Sequence, residues 1–188
     1  MKMKPTLSIY WMHYRFENWS LYLAATEQGL CYVGSQGADF QELADGINRR
    51  FPRAVLIRDE ARLRPYAAEL TAYFQGSLNR FTLPFDLQGT AFQSAVWAAL
   101  LQIPYGQTSS YSDIAALIGR PSSVRAVGSA IGANPVLITV PCHRVVGKNG
   151  GLTGYRGGLE MKARLLELER KGSEGSVRGT ESLDRTVG

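Results

Sequence analysis

The chain has 188 residues, 45% of them hydrophobic and 20% charged, with a formal net charge of +5. That composition excludes a disordered or low-complexity chain and suits one or two small domains with real cores. The apolar run Leu7 to Met12 is cut off by His13 and Arg15, too soon for a secretory h-region or a membrane span, so a cytoplasmic protein with no membrane partner is expected.

From residue 6 to 34 the chain alternates strand-like runs (Leu7 to Tyr14, Leu21 to Ala25, Leu30 to Val33), broken at Glu17-Asn18 and Gln28-Gly29, which predicts a short antiparallel meander. Cys31 lies in the third run with no His or acid beside it and reads as a small core residue. Phe40 to Phe51 and Leu63 to Leu78 have helical spacing, with the apolar run Ala54 to Ile57 between them. Pro and Gly punctuate Leu83 to Gly89, and a domain boundary is placed there: residues 1–85 form an α/β unit and 86–171 a second domain.

The second domain turns helical from Thr90, with Phe92, Val96, Ala99 and Leu100 in register until Pro104-Tyr105-Gly106 stops them. Ser110-x-x-Asp113 has the form of a capping box, opening a helix that ends at Gly119. Pro121-Ser122-Ser123 then predicts the turn and cap of a helix from Val124 to Gly132, and the pair reads as helix-turn-helix. On the second helix Val124, Val127 and Ile131 are expected inward, leaving Ala126, Gly128 and Ser129 small and outward. A helical Gly costs about 1 kcal/mol relative to Ala. Close approach of another surface would offset it, either a neighbouring helix or a DNA groove into which Arg125 inserts. Charge points the same way: residues 87–158 hold Arg120, Arg125, Arg144, Lys148 and Arg156 against Asp113 alone, whereas both flanks nearly cancel.

Val140-Pro141-Cys142-His143-Arg144-Val145-Val146 places a thiol directly before an imidazole, within an apolar β-branched run. A free Cys has a pKa of about 8.5 and needs a base or a positive environment to act as a nucleophile. If Cys142 sits at the end of a buried strand, His143 points to the opposite face, so a bridging water or a bend after Cys142 is required. Leu159 to Arg170 is a final helix with Leu165, Leu166 and Glu169 on one stripe; Glu169 either leans inward to orient the imidazole or sits on the surface. Two cysteines without an export signal are expected to stay reduced. Beyond Arg170 the Gly, Ser, Thr and mixed-charge composition predicts a disordered tail over 172–188.

Thr139-Val-Pro-Cys-His-Arg-Val-Val resembles the active-site signature of the O6-alkylguanine-DNA alkyltransferases, the methylated-DNA-[protein]-cysteine methyltransferases. The resemblance runs from about Gly89 through Ser110-Tyr111-Ser112, Arg125-Ala-Val-Gly and Gly132-Ala-Asn134-Pro135 to Gly154-Tyr155-Arg156-Gly157-Gly158 and the final helix. It implies an N-terminal RNase H-like α/β domain followed by a winged-helix-like helix-turn-helix domain carrying the active-site Cys. It also implies direct-reversal DNA repair: O6-alkylguanine, and O4-alkylthymine, is flipped out of duplex DNA and its alkyl group passes irreversibly to Cys142, once per molecule. His143 would act through water and Glu169 would complete the relay. Asn134 would tie the recognition helix to the active-site strand. Tyr111 would touch the base and help rotate the target phosphate, and Arg125 would fill the gap left in the stack, with Ala126 and Gly128 against the minor groove. The carbonyls of Cys142 and Val145 would meet the guanine amine, the backbone N–H of Arg156 would meet O6, and Tyr155 would form a pocket wall.

Leu137 stands where animal members have a second proline, and Arg156 where several have a small residue. No Cys/His set matches the structural zinc of some animal members, and neither metal nor cofactor is expected. The expected partner is double-stranded DNA carrying the lesion, bound by a monomer able to assemble cooperatively. Two rival readings are a turning-over Cys-His-Glu hydrolase and a non-catalytic lesion-binding or regulatory winged-helix protein; the first leaves the helix-turn-helix unexplained and the second leaves Cys142 idle.

Overall fold

A computed structural model describes the backbone of residues 6–181 and the side chains of residues 6–175. Three antiparallel strands, β1 (Ser8–Phe16), β2 (Trp19–Ala25) and β3 (Leu30–Val33), form the expected meander. After helix α1 (Phe40–Arg50), strand β4 (Val55–Arg58) pairs parallel to β1, giving the order β3-β2-β1-β4. The two-residue alternation of β1 and β2 divides their side chains between two faces. Ile9 and Ala24 pack with Leu43 and Ile47 of α1, whereas Tyr14, Leu21 and Leu23 pack with Leu63, Leu70 and Tyr73 of helix α2 (Glu60–Phe74).

The stretch predicted as a linker is a bonded strap. Leu30 N–H donates to Pro84 O at 2.9 Å and Asp86 N–H donates to Leu30 O at 2.9 Å, so the strap runs beside β3. Farther along the same strand, Val33 N–H donates to Pro135 O at 3.0 Å. A continuous apolar cluster therefore runs from Tyr14 and Leu21 to Val140, Met161 and Leu165, and the two halves share it.

Helix α3 (Ala91–Leu100) opens on a Thr90/Gln93 capping box. Helix α4 (Tyr111–Leu117) opens on the expected Ser110/Asp113 box, with both reciprocal bonds formed, and Gly119 after it has φ 71°. Helix α5 (Val124–Gly132) spans the predicted residues. Trp97 Nε1 donates to Ala130 O at 2.9 Å and locks α3 against α5. Two details depart from expectation. Val124 is 37% exposed, and the inward face is made by Val127, Ala130 and Ile131 instead. Ser123 stands at the N-cap, but its side chain makes no capping bond, so the first N–H groups of α5 are left open.

Short strands β5 (Ser109–Ser110) and β6 (Val145–Val146) pair in parallel and bring the start of α4 beside the Cys-His motif. Helix α6 (Leu159–Glu181) then packs Met161 and Leu165 into the shared core. The expected disordered tail is corrected over residues 172–181, which continue this helix. Gly172 lies directly against the Tyr105 ring, a Cβ on Gly106 would come within 2.8 Å of Ser173 Oγ, and Arg170 bridges Glu174 at 2.6 Å, so packing and an i,i+4 pair carry the helix past Leu168. Residues 182–188 lie outside the described residues.

Candidate active site and nucleic-acid interface

Cys142 does not end a strand. Residues Pro135 to Pro141 form a tight buried loop, and Cys142–Arg144 make one 3-10 turn before β6. The strand expectation fails because Asn134 takes over the hydrogen bonds that a ladder would have supplied. Its Nδ2 donates to Val140 O at 3.0 Å and lies 3.2 Å from Val136 O, while its Oδ1 accepts from Val136 N–H at 2.9 Å. Ile138 has φ 70°, a left-handed conformation that costs a β-branched residue about 1–3 kcal/mol; complete burial within the loop holds it there.

The turn supplies the bend that regular strand geometry lacks. Asn134 Nδ2 also donates to Cys142 Sγ at 3.1 Å, which favours the thiolate, as do the positive charges of Arg156 and Lys162. Burial opposes them and wins, so the resting thiol titrates above its ordinary value. His143 is fully buried; its Nε2 meets Glu169 Oε1 at 2.7 Å, and its Nδ1 makes no hydrogen bond with any described residue. Burial lowers the His143 pKa despite the carboxylate, which leaves a neutral ring. Glu169, on α6, is buried rather than on the surface.

Glu169 is the hub of a network that extends beyond the predicted pair. Its Oε1 accepts from Tyr73 Oη at 2.7 Å and Arg144 Nη2 at 2.9 Å, and its Oε2 accepts from Arg144 Nε at 2.9 Å and Gly106 N–H at 3.2 Å. Burial alone would raise its pKa, but His143 and Arg144 hold it down at about 2. With a carboxylate that acidic, the proton between the two groups belongs to His143 Nε2, and Nδ1 keeps its lone pair.

Arg144, Tyr73 and Lys162 are missing from the predicted site. Arg144 carried a signal: a guanidinium inside an apolar run must find a buried partner. Lys162 carried a weaker one, since it precedes Glu169 by seven residues and so shares its helix face. Its Nζ donates to Val145 O at 2.5 Å and Thr153 O at 2.8 Å. Tyr73 lies on α2, ninety-six residues from Glu169, and carried none.

The remaining predicted residues divide. Tyr111 opens α4, accepts from Thr153 Oγ1 at 3.0 Å, and sets its ring 3.8 Å from where a Cβ on Gly128 would stand. Gly128 therefore faces Tyr111 as well as the outside. Arg125, Ala126 and Ser129 lie toward the outside of α5, and Arg125 forms no ion pair with a described residue. Tyr155 has its hydroxyl enclosed without a hydrogen-bond partner among the described residues. Burial and the nearby Cys142 charge push that phenol well above its usual value. The Arg156 side chain makes no hydrogen bond to the thiol. It donates to Val33 O at 2.7 Å, Asn134 O at 3.0 Å and Pro135 O at 3.1 Å, stapling the first half of the chain to the loop. Two of the five cations counted toward a basic face, Arg144 and Arg156, are thus engaged inside the protein. Both cysteines are free, and among the described residues no group of three His, Cys, Asp or Glu is placed to hold a metal ion. No described helix is long and apolar enough to cross a membrane.

The chain matches a family model described as "6-O-methylguanine DNA methyltransferase, DNA binding domain" over residues 91–171, and one described as "6-O-methylguanine DNA methyltransferase, ribonuclease-like domain" over residues 9–87. It is 58% identical over 170 residues to the inducible methylated-DNA–protein-cysteine methyltransferase of Bacillus subtilis, covering 90% of this chain and 94% of that protein. Among solved structures it resembles Mycobacterium tuberculosis O6-methylguanine methyltransferase, with 39% identity, a TM-score of 0.73, and coverage of 87% of this chain and 93% of that one. A structure of the mycobacterial protein in complex with DNA gives 39% identity, a TM-score of 0.74, and coverage of 88% and 94%.

Proposed function

The chain belongs to the 6-O-methylguanine DNA methyltransferase family, and we propose that it binds double-stranded DNA, flips out an O6-alkylguanine and takes the alkyl group onto Cys142. The repair is a direct reversal by alkyl transfer to cysteine. The observation that carries the assignment of Cys142 is its Sγ, held 3.1 Å from Asn134 Nδ2 immediately before an imidazole fixed on Glu169.

Each part then has a task. The resting thiol is protonated, and His143 Nδ1 is the free base that takes its proton through water. The imidazolium formed is stabilised by Glu169, which stays a carboxylate. Sulfur attacks the alkyl carbon as the carbon–O6 bond breaks; the electron pair leaves on guanine, which then takes up a proton. Because Thr153 Oγ1 donates to Tyr111 Oη, the phenol's own proton is available to the base, and we assign it to guanine N3. Val145 O already accepts from Lys162, so recognition of the guanine amine uses its second lone pair, beside Cys142 O. The thioether product does not revert, so each molecule acts once.

A buried thiol requires an extruded base, at a cost of a few kcal/mol. The exposed Arg125, beside the small Ala126, is suited to occupy the vacated stack, and Tyr155 to wall the pocket. We place the division between an N-terminal unit (1–85) and the DNA-binding, alkyl-accepting unit (86–171) at the strap, and take the protein to act as a monomer in the cytoplasm.

The test is an intact-mass and peptide-mass measurement after mixing the protein with a duplex carrying one O6-methylguanine. The expected result is one methyl on the Cys142 peptide and plain guanine left in the DNA. Binding without mass gain would favour the lesion-binding reading.

A further inference from the structure

A cleft of about 550 Å³ lies between the two halves of the chain, and Cys142 does not line it. Its walls bring together Arg49 and Arg50 from the last turn of α1, Arg156, the segment Gly89-Thr90 that opens α3, and Gly132-Ala133 at the end of α5. Among the described residues no carboxylate lines it. Glu42 stands 3.5 Å from Arg156 Nη1 but does not line the cleft.

The three cations are held differently. Arg156 has its N–H groups directed at Val33, Asn134 and Pro135 carbonyls, Tyr32 Oη and Glu42, so it contributes charge and few free donors. Arg50 is half-buried and anchored by one Nη2 contact to Ala133 O, which leaves its Nε and Nη1 without acceptors among the described residues. Arg49 is exposed and makes no hydrogen bond or ion pair with a described residue. Burial and the charges of Arg156 and Arg49 push the Arg50 pKa down, as crowding of like charges requires. The N-terminus of α3, capped by the Thr90/Gln93 box, adds its partial positive charge to the same space.

We propose that this cleft binds a phosphate group of the DNA backbone, flanking the lesion rather than at it. The inference rests on the DNA reading above. Its ligand chemistry is a tetrahedral oxyanion received by the Arg50 fork and the Arg49 charge. The backbone is the favoured source because of where the cleft lies. Gly132 and Ala133 end the helix that exposes Arg125, and nine helical residues span about 13 Å, which matches roughly four phosphates of one strand measured along the duplex axis. A strand lying along α5 continues past this opening. Gly132 leaves it unobstructed, since a Cβ there would meet nothing within 4 Å.

The experiment compares wild type with R49E, R50K and, as a matched change of charge outside the cleft, R64E. The probes are an unmodified duplex and inorganic phosphate. For the duplex, R49E is expected to weaken binding about tenfold at low salt and to lower the salt slope by about one, with R64E moving far less. R50K keeps the charge but loses the fork, and should weaken binding about threefold without changing the slope. The melting temperatures of R49E and R64E should match wild type, which keeps loss of fold out of the comparison. If phosphate alone binds in an Arg49-dependent way and the duplex is indifferent, the backbone assignment is overturned in favour of a free oxyanion. If wild type binds duplex but R49E has the same affinity and slope, the cleft proposal fails while the repair reading stands. Failure of wild type to bind duplex at all would sink that reading first.

Discussion

The molecule contains two buried thiols, and their surroundings differ. Cys31, in β3, is 1% exposed, and Cys142, in the 3-10 turn, is 2% exposed. Around Cys31 burial and the nearby Asp86 charge both act against the thiolate, and the pKa is pushed up to about 12. Around Cys142 burial is opposed by a donor on sulfur and by two cations, and an imidazole on a carboxylate stands next in the chain. Burial alone makes a cysteine inert. Reactivity comes from what the burial encloses.

The sharpest way to break that contrast is to remove one sulfur at a time. Cys142→Ala should lose all alkyl transfer and keep duplex binding, while Cys31→Ser should still take up one alkyl group per molecule; a methyl found on Cys31 in the first variant would erase the distinction. Next in size is Glu169→Gln, which leaves the Arg144 charge buried without its carboxylate. A loss of about 3–5 kcal/mol is expected, read by denaturant unfolding, together with loss of transfer.

Asn134→Ala should make Cys142 resemble Cys31. It removes the donor on sulfur and the ties on the loop, at about 1–3 kcal/mol for the buried groups left unpaired. The diagnostic reading is slower alkylation of Cys142 by iodoacetamide in protein that is still folded.

Two pH dependences follow from the same network. The folded pKa of Glu169 is depressed to about 2 from 4.5, so its contribution, on the order of 3 kcal/mol, is present above pH 4.5 and is lost as pH falls toward 2; Glu169→Gln should flatten that limb of an acid-unfolding curve. His143 is likewise depressed, so transfer should hold its rate as pH falls through about 6.5 and fail only below it. A midpoint above 6.5 in single-turnover rates would mean a charged imidazole and a different base. The smallest effect on stability belongs to the exposed Arg125. Arg125→Ala should change unfolding free energy by less than about 0.5 kcal/mol while weakening capture of the lesion-bearing base, and a large fall in melting temperature would assign it a packing role instead.

Much of the second half was legible in the order of its residues. The Ser110/Asp113 capping box, the stop at Gly119 and the span of α5 depend on residues three or four apart, and each formed where local chemistry put it. Val124 was misplaced because an apolar residue in the first turn of a helix has no preceding turn to cover it. The strand expected before Cys142 failed because periodicity cannot detect a side chain such as Asn134 that replaces backbone partners.

The chain order alone determined the adjacent thiol and imidazole, the helix pair and the stripe that carries Glu169, because these are set by neighbours within a turn or two. Only the tertiary structure decided that Glu169 is buried, that Tyr73 and Arg144 share it, and that Arg156 is bonded to β3. Those partners are between twenty-five and one hundred and twenty-three residues apart. A buried charge dictates that some partner must exist; which one it finds depends on how the two halves close over their common core.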